Sequence, residues 1–333
     1  MYLEEQAGSI GAVAAEAPMR KRPSALSNVW KFTRRKPLGA FGFFLVFVLF
    51  VMTLGTPKAE FGLPSLPDRP FGFELGSPWL ARYGEEANFY DVDGSLSQNE
   101  DPSFDHWFGT DNNGRDMYAR IVVGARRSMF VGFWALTIAT ILGTAVGVIS
   151  GYFGKWIDTT VQRFMDALQS FPPLIALILI VTINPLGSGP TASLMMAAFA
   201  LGFVGITSVQ RITRGVVLAT REQQYVEAAR VIGANDVRIM FRYILPNIMA
   251  SIIVVFSTGI GVVILAEAAL SFVVPQAVPL GTSWGLDLSN SYTRISTNPN
   301  PVFFTAGAIA VAVLAFNLAG DALRDVLDPR LRL

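Results

Sequence analysis

The feature of this sequence that most constrains its fold is a set of long segments without a single charged residue. The longest has 44 residues and lies between Asp166 and Arg211, and another runs from Ser128 to Gly154. Charged residues make up only 15% of the chain, whereas a typical soluble domain has about 25%. Because ionisable groups are costly in hydrocarbon and collect at the ends of spans, the pattern predicts a chain that crosses a membrane several times.

The uncharged apolar runs predict an all-α membrane protein with six transmembrane helices, since crossing the hydrocarbon takes about 20 helical residues. The 44-residue segment suits two spans, separated by the turn-forming sequence from Asn184 to Pro190. Pro172 and Pro173 are expected to start or kink the first of these two. The six predicted spans are residues 38–55, a stretch within 128–154, a stretch ending near 183, and residues 191–209, 244–266 and 302–319.

Basic residues indicate how these spans are oriented. Residues 20–37 hold seven basic residues and no acidic one, whereas residues 57–118 hold twelve acidic and four basic residues. Since basic flanks stay in the cytoplasm, we expect both termini of a six-span chain to be cytoplasmic. A cleaved signal peptide is the alternative reading of the first run, but that run starts late and no A-x-A cleavage site follows it.

The charge pattern also predicts how the chain is divided. Arg126 and Arg127 are placed on an interfacial helix at 114–127, from which long side chains can snorkel. The loop before it is rich in Pro and Gly, and its role stays open. The predicted segments are a cytoplasmic tail (1–37), the first span (38–55), an outer loop with the interfacial helix (56–127), a transmembrane core with a cytoplasmic loop at 210–246 (128–320), and a cytoplasmic C-terminus (321–333).

Composition excludes several kinds of site. The chain has no cysteine and one histidine, His106, so a disulfide framework, a thiolate metal site and a zinc or iron site are not expected. A net charge of +1 gives no basic patch for nucleic acid. No phosphate-binding loop of the form G-x4-G-K-[ST] occurs, so we expect neither a cofactor nor bound ATP on this chain.

Small and polar residues within the spans are the candidates for packing and for lining a pathway. Glycines 143, 147 and 151 are spaced by four, which allows two helix backbones to approach closely in lipid. Glu267 ends the fifth span and is expected to be solvated or to anchor a loop, although an intramembrane acid is also a functional candidate. The remaining candidates for a pathway or outer gate, each equally able to bond a neighbouring helix, are Ser257, Thr258 and Asn317.

The polar loop between the fourth and fifth spans has the pattern of two short helices joined by a turn. Tyr225, Ala229 and Ile232 form an apolar stripe, and Gly233 is expected to end the first helix in a left-handed conformation. Asn235 is a suitable N-cap for the second helix. From the residues alone, the loop is either a solvated surface helix or a knob that docks into a soluble partner.

This loop resembles the EAA loop of ABC-importer permeases, whose pattern is E-A-A-x3-G-x9-I-x-L-P. The chain departs from it at Tyr243, where the family has Ile. The residues that match the pattern are Glu227, Ala228, Ala229, Gly233, Leu245 and Pro246.

Further segments resemble dipeptide and oligopeptide permeases of the DppC/OppC type. They start at His106, Gly124, Glu267, Ser283 and Asp321, and read H-x2-G-T-D-x2-G-R-D, G-A-R-R-S, E-A-A-L-S-F, S-W-G and D-A-L-R-D-x2-D-P-R. Together they extend over residues 106–333. The sequence from Val273 to Gln276 departs from the Leu-Gly-Leu-Gly run that is usual there, and residues 57–102 match no known pattern.

The resemblance implies a permease of the type I ABC-importer fold in the bacterial inner membrane. Its expected partners are a second homologous permease, two cytoplasmic ATPases that bind ATP and Mg²⁺, an extracytoplasmic solute-binding protein and membrane lipid. Glu227 is expected to pair with an arginine of this chain or of a partner. The expected solutes are di- and oligopeptides, with nickel chelates or glutathione-like compounds as the alternative. A secondary transporter or an intramembrane enzyme is disfavoured, since the spans have almost no acids.

Overall fold

The computed structural model describes residues 33–34, 36–54, 88–90, 96–183, 190–275 and 282–327. Contacts divide the chain into Met1–Pro37, of which only a few residues are described, and Leu38–Leu333. Within the described ranges the fold is almost entirely helical, with isolated β-bridges between residues 88 and 116. The helices are α1 (Pro37–Leu54), α2 (Met117–Phe153), α3 (Lys155–Gln169), α4 (Pro173–Ile183), α5 (Pro190–Arg221), α6 (Gln224–Val231), α7 (Asp236–Ile239), α8 (Leu245–Val273), α9 (Trp284–Tyr292) and α10 (Asn300–Leu327).

The all-α membrane class is confirmed, and a helix occurs at each of the six predicted span positions. Among the described residues, four helices have by themselves the length and apolar composition of a span: α2, α5, the continuous helix Asp236–Val273 and α10. Helices α3 and α4 together make a fifth, although they are bent by 84° relative to each other. Helix α1 is apolar but shorter, so length alone supports four or five crossings and does not establish six.

The bend between α3 and α4 follows from two consecutive prolines. Pro172 and Pro173 lack the backbone N–H that a helix interior needs, so α3 ends at Gln169 and α4 starts at Pro173. Helix α4 has 11 residues and is therefore about 16 Å long, which is half the thickness of the hydrocarbon. The predicted turn at 184–190 lies outside the described residues except for Pro190.

The helix predicted at 114–127 is not a separate element, because Met117–Phe153 form one helix of 37 residues, and the interfacial location of its first turns stays a prediction. Asp116 caps its first turn, since its carboxylate accepts a hydrogen bond from Ala119 N at 2.8 Å. At 1.5 Å per residue the helix is about 55 Å long and exceeds the hydrocarbon thickness of about 30 Å. Arg127 does not snorkel but is buried against the chain.

At three glycines of α2, the backbones of α2 and α5 approach so closely that no side chain fits between them. A Cβ on Gly147 would lie 2.9 Å from the Gln210 carbonyl oxygen, and one on Gly143 would lie 2.9 Å from Ile206 O. Gly151 is placed in the same way against Val217. Since any side chain would separate the helices, these residues allow the close approach that small residues give in lipid.

The rest of the bundle is arranged around α8, which packs against α2, α5, α9 and α10. One apolar cluster joins α2, α4, α5 and α8, and another joins α1, α2, α8, α9 and α10. A third cluster lies where α2 and α5 meet helices α6 to α8. We call this the loop end of the bundle, because residues 222–246 lie there, and we call the end formed by residues 96–116 and α9 the opposite end.

Candidate functional site

The loop of residues 222–246 consists of two short helices joined by a left-handed turn, as its sequence predicts. Gly233 has φ +81°, and its N–H donates to Arg230 O at 3.0 Å. Asn235 caps α7, since its side-chain oxygen accepts from Arg238 N at 2.8 Å. The turn is closed by Ala234 N, which donates to Ala229 O, so the end of α6 is hydrogen-bonded in the manner of a helix C-cap.

The face of α6 that packs against the bundle differs from the predicted stripe. Val226 and Ala229 are buried in the cluster at the loop end, together with Ile239. Tyr225 and Ile232 are exposed, so the predicted stripe is wrong in two of its three members. The reason is that Ile232 lies beyond the last residue of α6, and α6 packs against α2 and α5 through Val226 and Ala229, which are three residues apart. Ala229 is therefore a packing residue of this chain, whereas Ala228 is exposed.

Exposed apolar side chains surround the turn at Gly233. Val231 is 82% exposed and Ile232 is 76% exposed, and Val237 and Phe241 on the second half of the loop are also exposed. Glu227 is exposed and its side chain has no hydrogen bond or ion pair within the described part of the chain. An apolar patch with a carboxylate beside it is the kind of surface that binds another protein.

The loop continues into α8 without a break. Residues Met240–Ile244 form a π turn, in which Leu245 N donates to Met240 O. Pro246 lacks an N–H, and the side chain of Asn247 donates to Tyr243 O at 2.6 Å. Leu245 and Tyr243 are half-buried against the cluster at the loop end. A displacement of the loop is therefore passed directly to the helix that packs at the centre of the bundle.

Polar contacts fasten the loop to the ends of α2 and α5. The Tyr152 hydroxyl donates to Asp236 Oδ1 at 2.6 Å, and the Arg230 guanidinium lies 5.5 Å from the Tyr152 ring centroid. Arg221 Nη1 donates to Gly151 O at 2.8 Å. Sequence reasoning missed these contacts, because their partners are far apart in the chain and neither local spacing nor periodicity indicates them.

The family-like residues at the opposite end form a buried polar network. Arg120 Nε donates to Asp287 Oδ1 at 2.9 Å, which joins α2 to α9. Trp284 Nε1 donates to Ile121 O at 2.9 Å, and its ring lies against Gly124. These residues are fully buried or nearly so, which indicates that the segments resembling S-W-G and G-A-R-R-S fasten α9 to α2.

A second part of this network holds the segment before α2. His106 Nδ1 lies 3.0 Å from Asp116 Oδ1, and Arg115 Nε donates to Asp111 Oδ2 at 2.9 Å. Burial raises the pKa of the Asp116 carboxyl, while its hydrogen bonds with Ala119 N and His106 oppose the rise. His106 thus has a structural partner and is placed as a packing residue.

The residues expected to line a pathway lie on α8 and α10. Glu267 is fully buried and accepts a hydrogen bond from Ser271 Oγ at 2.9 Å, so the expectation that it is solvated is wrong. Ser257 and Thr258 donate to carbonyls of their own helix, and the Thr258 methyl lies against Gly320. Asn317 is exposed on α10.

One cleft adjoins the bend between α3 and α4. It has a volume of about 300 Å³, and its polar lining residues are Gln169, Thr207 and Ser208. Its position beside the broken helix makes it the part of the bundle whose shape depends most directly on the orientation of α3. Within the described ranges, no group of three or more His, Asp or Glu side chains is placed to hold a metal ion.

Comparison with known proteins places these features in a family. A family profile described as "Binding-protein-dependent transport system inner membrane component" matches residues 143–333. The dipeptide transport system permease protein DppC of Alkalihalophilus pseudofirmus is 43% identical over 231 residues, which are 69% of this chain and 74% of the relative. The glutathione transport system permease protein GsiD of Pectobacterium atrosepticum is 38% identical over 254 residues, which are 76% of this chain and 81% of the relative. GsiD of Escherichia coli is 39% identical over 254 residues, which are 76% of this chain and 80% of the relative.

Proposed function

The chain belongs to the binding-protein-dependent inner-membrane components, as an ABC-importer permease of the dipeptide/oligopeptide family, and we propose that it forms half of a translocation pathway for peptides. The other half is a second homologous permease subunit. Peptides are supported by the relative named as a dipeptide permease, which has 43% identity. Glutathione-like compounds are the second candidate, supported by the relatives named as glutathione permeases at 38% and 39% identity.

Uptake measurements separate the two solute classes. Liposomes that contain the assembled importer are loaded with ATP and Mg²⁺ inside, and the binding protein is added outside with a radiolabelled dipeptide or with glutathione. Uptake of the dipeptide, with no effect of excess glutathione, is the expected result. Uptake of glutathione with exclusion of the dipeptide would overturn the assignment to peptides while leaving the importer itself intact.

The loop of residues 222–246 is the proposed docking site for a cytoplasmic ATPase subunit, which binds ATP and Mg²⁺ in place of this chain. The observation that carries this proposal is the exposed apolar pair Val231 and Ile232 beside Glu227, on a loop whose other face is held in the bundle. Closure of the ATPases would displace the loop and, through the π turn, α8. A carboxylate without a partner among the described residues is suited to an arginine of the ATPase.

The docking proposal is tested by placing a charge on the exposed apolar surface. Ile232→Asp in the assembled importer should reduce recovery of the ATPase with the permease at least tenfold, since it buries a charge in an apolar contact. Val326→Asp is the matched control, because Val326 is also exposed but lies at the end of α10. Equal recovery of the ATPase with both variants would mean that the loop is a solvated surface helix and not the docking site.

Ala228 tests how closely the partner approaches. Because Ala228 is exposed, Ala228→Trp should insert normally and weaken ATPase binding by overpacking the contact. Ala229→Trp is not equivalent, since Ala229 is buried in this chain and a large side chain there would displace α6 itself. Normal ATPase binding by Ala228→Trp would place the contact elsewhere on the loop.

We further propose that both termini are cytoplasmic, which puts the loop end inside and residues 96–116 outside. The basic segment 20–37 supports this orientation. Because the native chain has no cysteine, Phe104→Cys and Val326→Cys each give a single labelling site, and both positions are exposed. An impermeant maleimide added to spheroplasts, in which the inner membrane is intact, should label position 104 alone. Labelling of position 326 alone would show that the orientation is the reverse of the one proposed.

A further inference from the structure

Tyr152 contacts both short helices of the loop at once. It is the second-last residue of α2, and its ring is buried in the cluster at the loop end. Its hydroxyl donates to Asp236, the first residue of α7, at 2.6 Å. Its ring faces the guanidinium of Arg230, near the end of α6, at 5.5 Å. Since Gly233 lies between these two partners, one side chain of α2 bridges the turn that carries the exposed patch.

The backbone changes direction two residues after Tyr152. Gly154 has φ +63° and ψ −151°, and Lys155 has φ +50°, so two consecutive residues have positive φ. For a residue with a side chain, such a conformation costs about 1–2 kcal/mol. Helix α2 ends at Phe153 and α3 begins at Lys155, which leaves Gly154 as the whole connection. A junction of this kind can concentrate a change of φ and ψ in one or two residues, as hinges do.

Both sides of this junction are fastened to α5, the α2 side through the bond from Arg221 Nη1 to Gly151 O, and the α2 side is also fastened to the loop. On the α3 side, Asp158 accepts two hydrogen bonds from Arg214 of α5, at 2.5 and 2.6 Å. Helix α3 then leads to the bend before α4 and to the cleft beside it. On the α2 side, Tyr152 is joined to the loop. Tyr152 is therefore the side chain of α2 that contacts both α6 and α7 and lies two residues from the junction.

We propose that Tyr152 is a positioning residue that carries movement of the loop to the junction at Gly154 and Lys155. The inference rests on the proposed function, in which an ATPase displaces the loop. A hydroxyl donating to a carboxylate is a strong, short hydrogen bond, and energetic coupling between distant sites travels through contiguous contacts of this kind. The hydrogen bond between Tyr152 and Asp236 couples movement of the loop to movement at the junction. It contributes little to the assembly of the permease, since the buried Tyr152 ring alone fills its place in the cluster.

The test is Tyr152→Phe in the complete importer, with both permeases, both ATPases and the binding protein in liposomes. The variant keeps the ring facing the Arg230 guanidinium but loses the hydroxyl, and with it the bond to Asp236. We expect normal recovery of the ATPases and a fall of at least fivefold in peptide taken up per ATP hydrolysed. Tyr292→Phe is the matched control, because Tyr292 is exposed on α9, away from the loop, and its hydroxyl has no hydrogen bond within the described residues. It should keep the wild-type ratio.

A double-mutant comparison separates coupling from a structural role. Asp236→Ala should lower the same ratio as much as Tyr152→Phe, and combining the two should lower it no further. Asp236→Asn keeps an oxygen acceptor and should restore most of the ratio, which also tests the proposal if Tyr152→Phe fails to assemble. A wild-type ratio in Tyr152→Phe, or equal ratios in Asp236→Asn and Asp236→Ala, would overturn this inference. Absence of ATPase binding to the wild-type loop would instead overturn the proposed function.

Discussion

The contact between α2 and α5 gives a sharp prediction for Gly147→Ala. A Cβ at this position would lie 2.8 Å from Thr213 Cβ and 2.9 Å from the Gln210 carbonyl oxygen, whereas ordinary contacts lie between 3.4 and 4 Å. One of the two obstacles is backbone, so a change of rotamer cannot make room. The helices must separate by about half an ångström at this point, and the contacts at Gly143 and Gly151 on either side are stretched with it.

Overpacking of a well-packed interior costs about 1–3 kcal/mol. Since 1.4 kcal/mol is tenfold in an equilibrium constant, the equilibrium constant for folding should fall by a factor of about 5 to 150. Gly215→Ala is the matched control, because Gly215 lies on α5, the helix that packs against Gly147, but a Cβ there has nothing within 4 Å. Alanine also favours a helix over glycine by roughly 1 kcal/mol, so this control should lose no stability.

The assay is unfolding of the purified chain by increasing SDS in mixed micelles, followed by the loss of helical circular dichroism. Gly147→Ala should unfold at a lower SDS fraction than the wild type, and Gly215→Ala should not. If both variants unfold at the wild-type SDS fraction, α2 and α5 are not in backbone contact at these glycines, and the packing described for them is refuted.

Two further predictions concern the opposite end and the loop. Arg120→Met leaves the Asp287 carboxylate buried without its principal cation, so it should destabilise the chain by about 3–5 kcal/mol in the same SDS titration. The double variant Arg120→Met/Asp287→Leu should recover much of this loss. Equal stability of both variants and the wild type would contradict the buried pair. Gly233→Ala should weaken ATPase binding about 5- to 30-fold, because the left-handed φ at this position costs alanine about 1–2 kcal/mol, although the added Cβ has open space. Gly233→Asn should weaken binding less. Equal affinities of both variants and the wild type would exclude a role for the turn.

The positions of the helices were predictable because lipid leaves the backbone few choices. An apolar segment in hydrocarbon must satisfy its own hydrogen bonds, so a charge-free run of this length indicates a helix wherever it occurs. The start of α2 was not predictable in this way. Arg126 and Arg127 made residues 114–127 look interfacial, but Arg127 donates to Thr282 O and nearby Arg120 to Asp287, partners more than 150 positions away in the chain.

The loop shows the same division between local and distant information. Gly233 and Asn235 act through hydrogen bonds within a few residues, so their conformations follow from the sequence. Which face of α6 is buried is decided by the ends of α2 and α5, and the stripe chosen from periodicity was wrong for that reason. Glu267 was misplaced similarly, since its position at the end of a run suggested solvent but the folded chain buries it fully.

The two ends of α2 are fastened by contacts of different kinds, and this difference bears on how the subunit can move. At the opposite end, the pair Arg120 and Asp287 is fully desolvated, and the Trp284 indole lies on the backbone of α2, so separating α9 from α2 would expose a buried charge. At the loop end, α2 stops at a glycine with φ +63° and meets the loop through the hydroxyl and ring of Tyr152 and through the apolar cluster. On our proposal, a force applied at the loop reaches the junction of α2 with α3 through these contacts, and the movement it produces falls on the broken helix and its cleft.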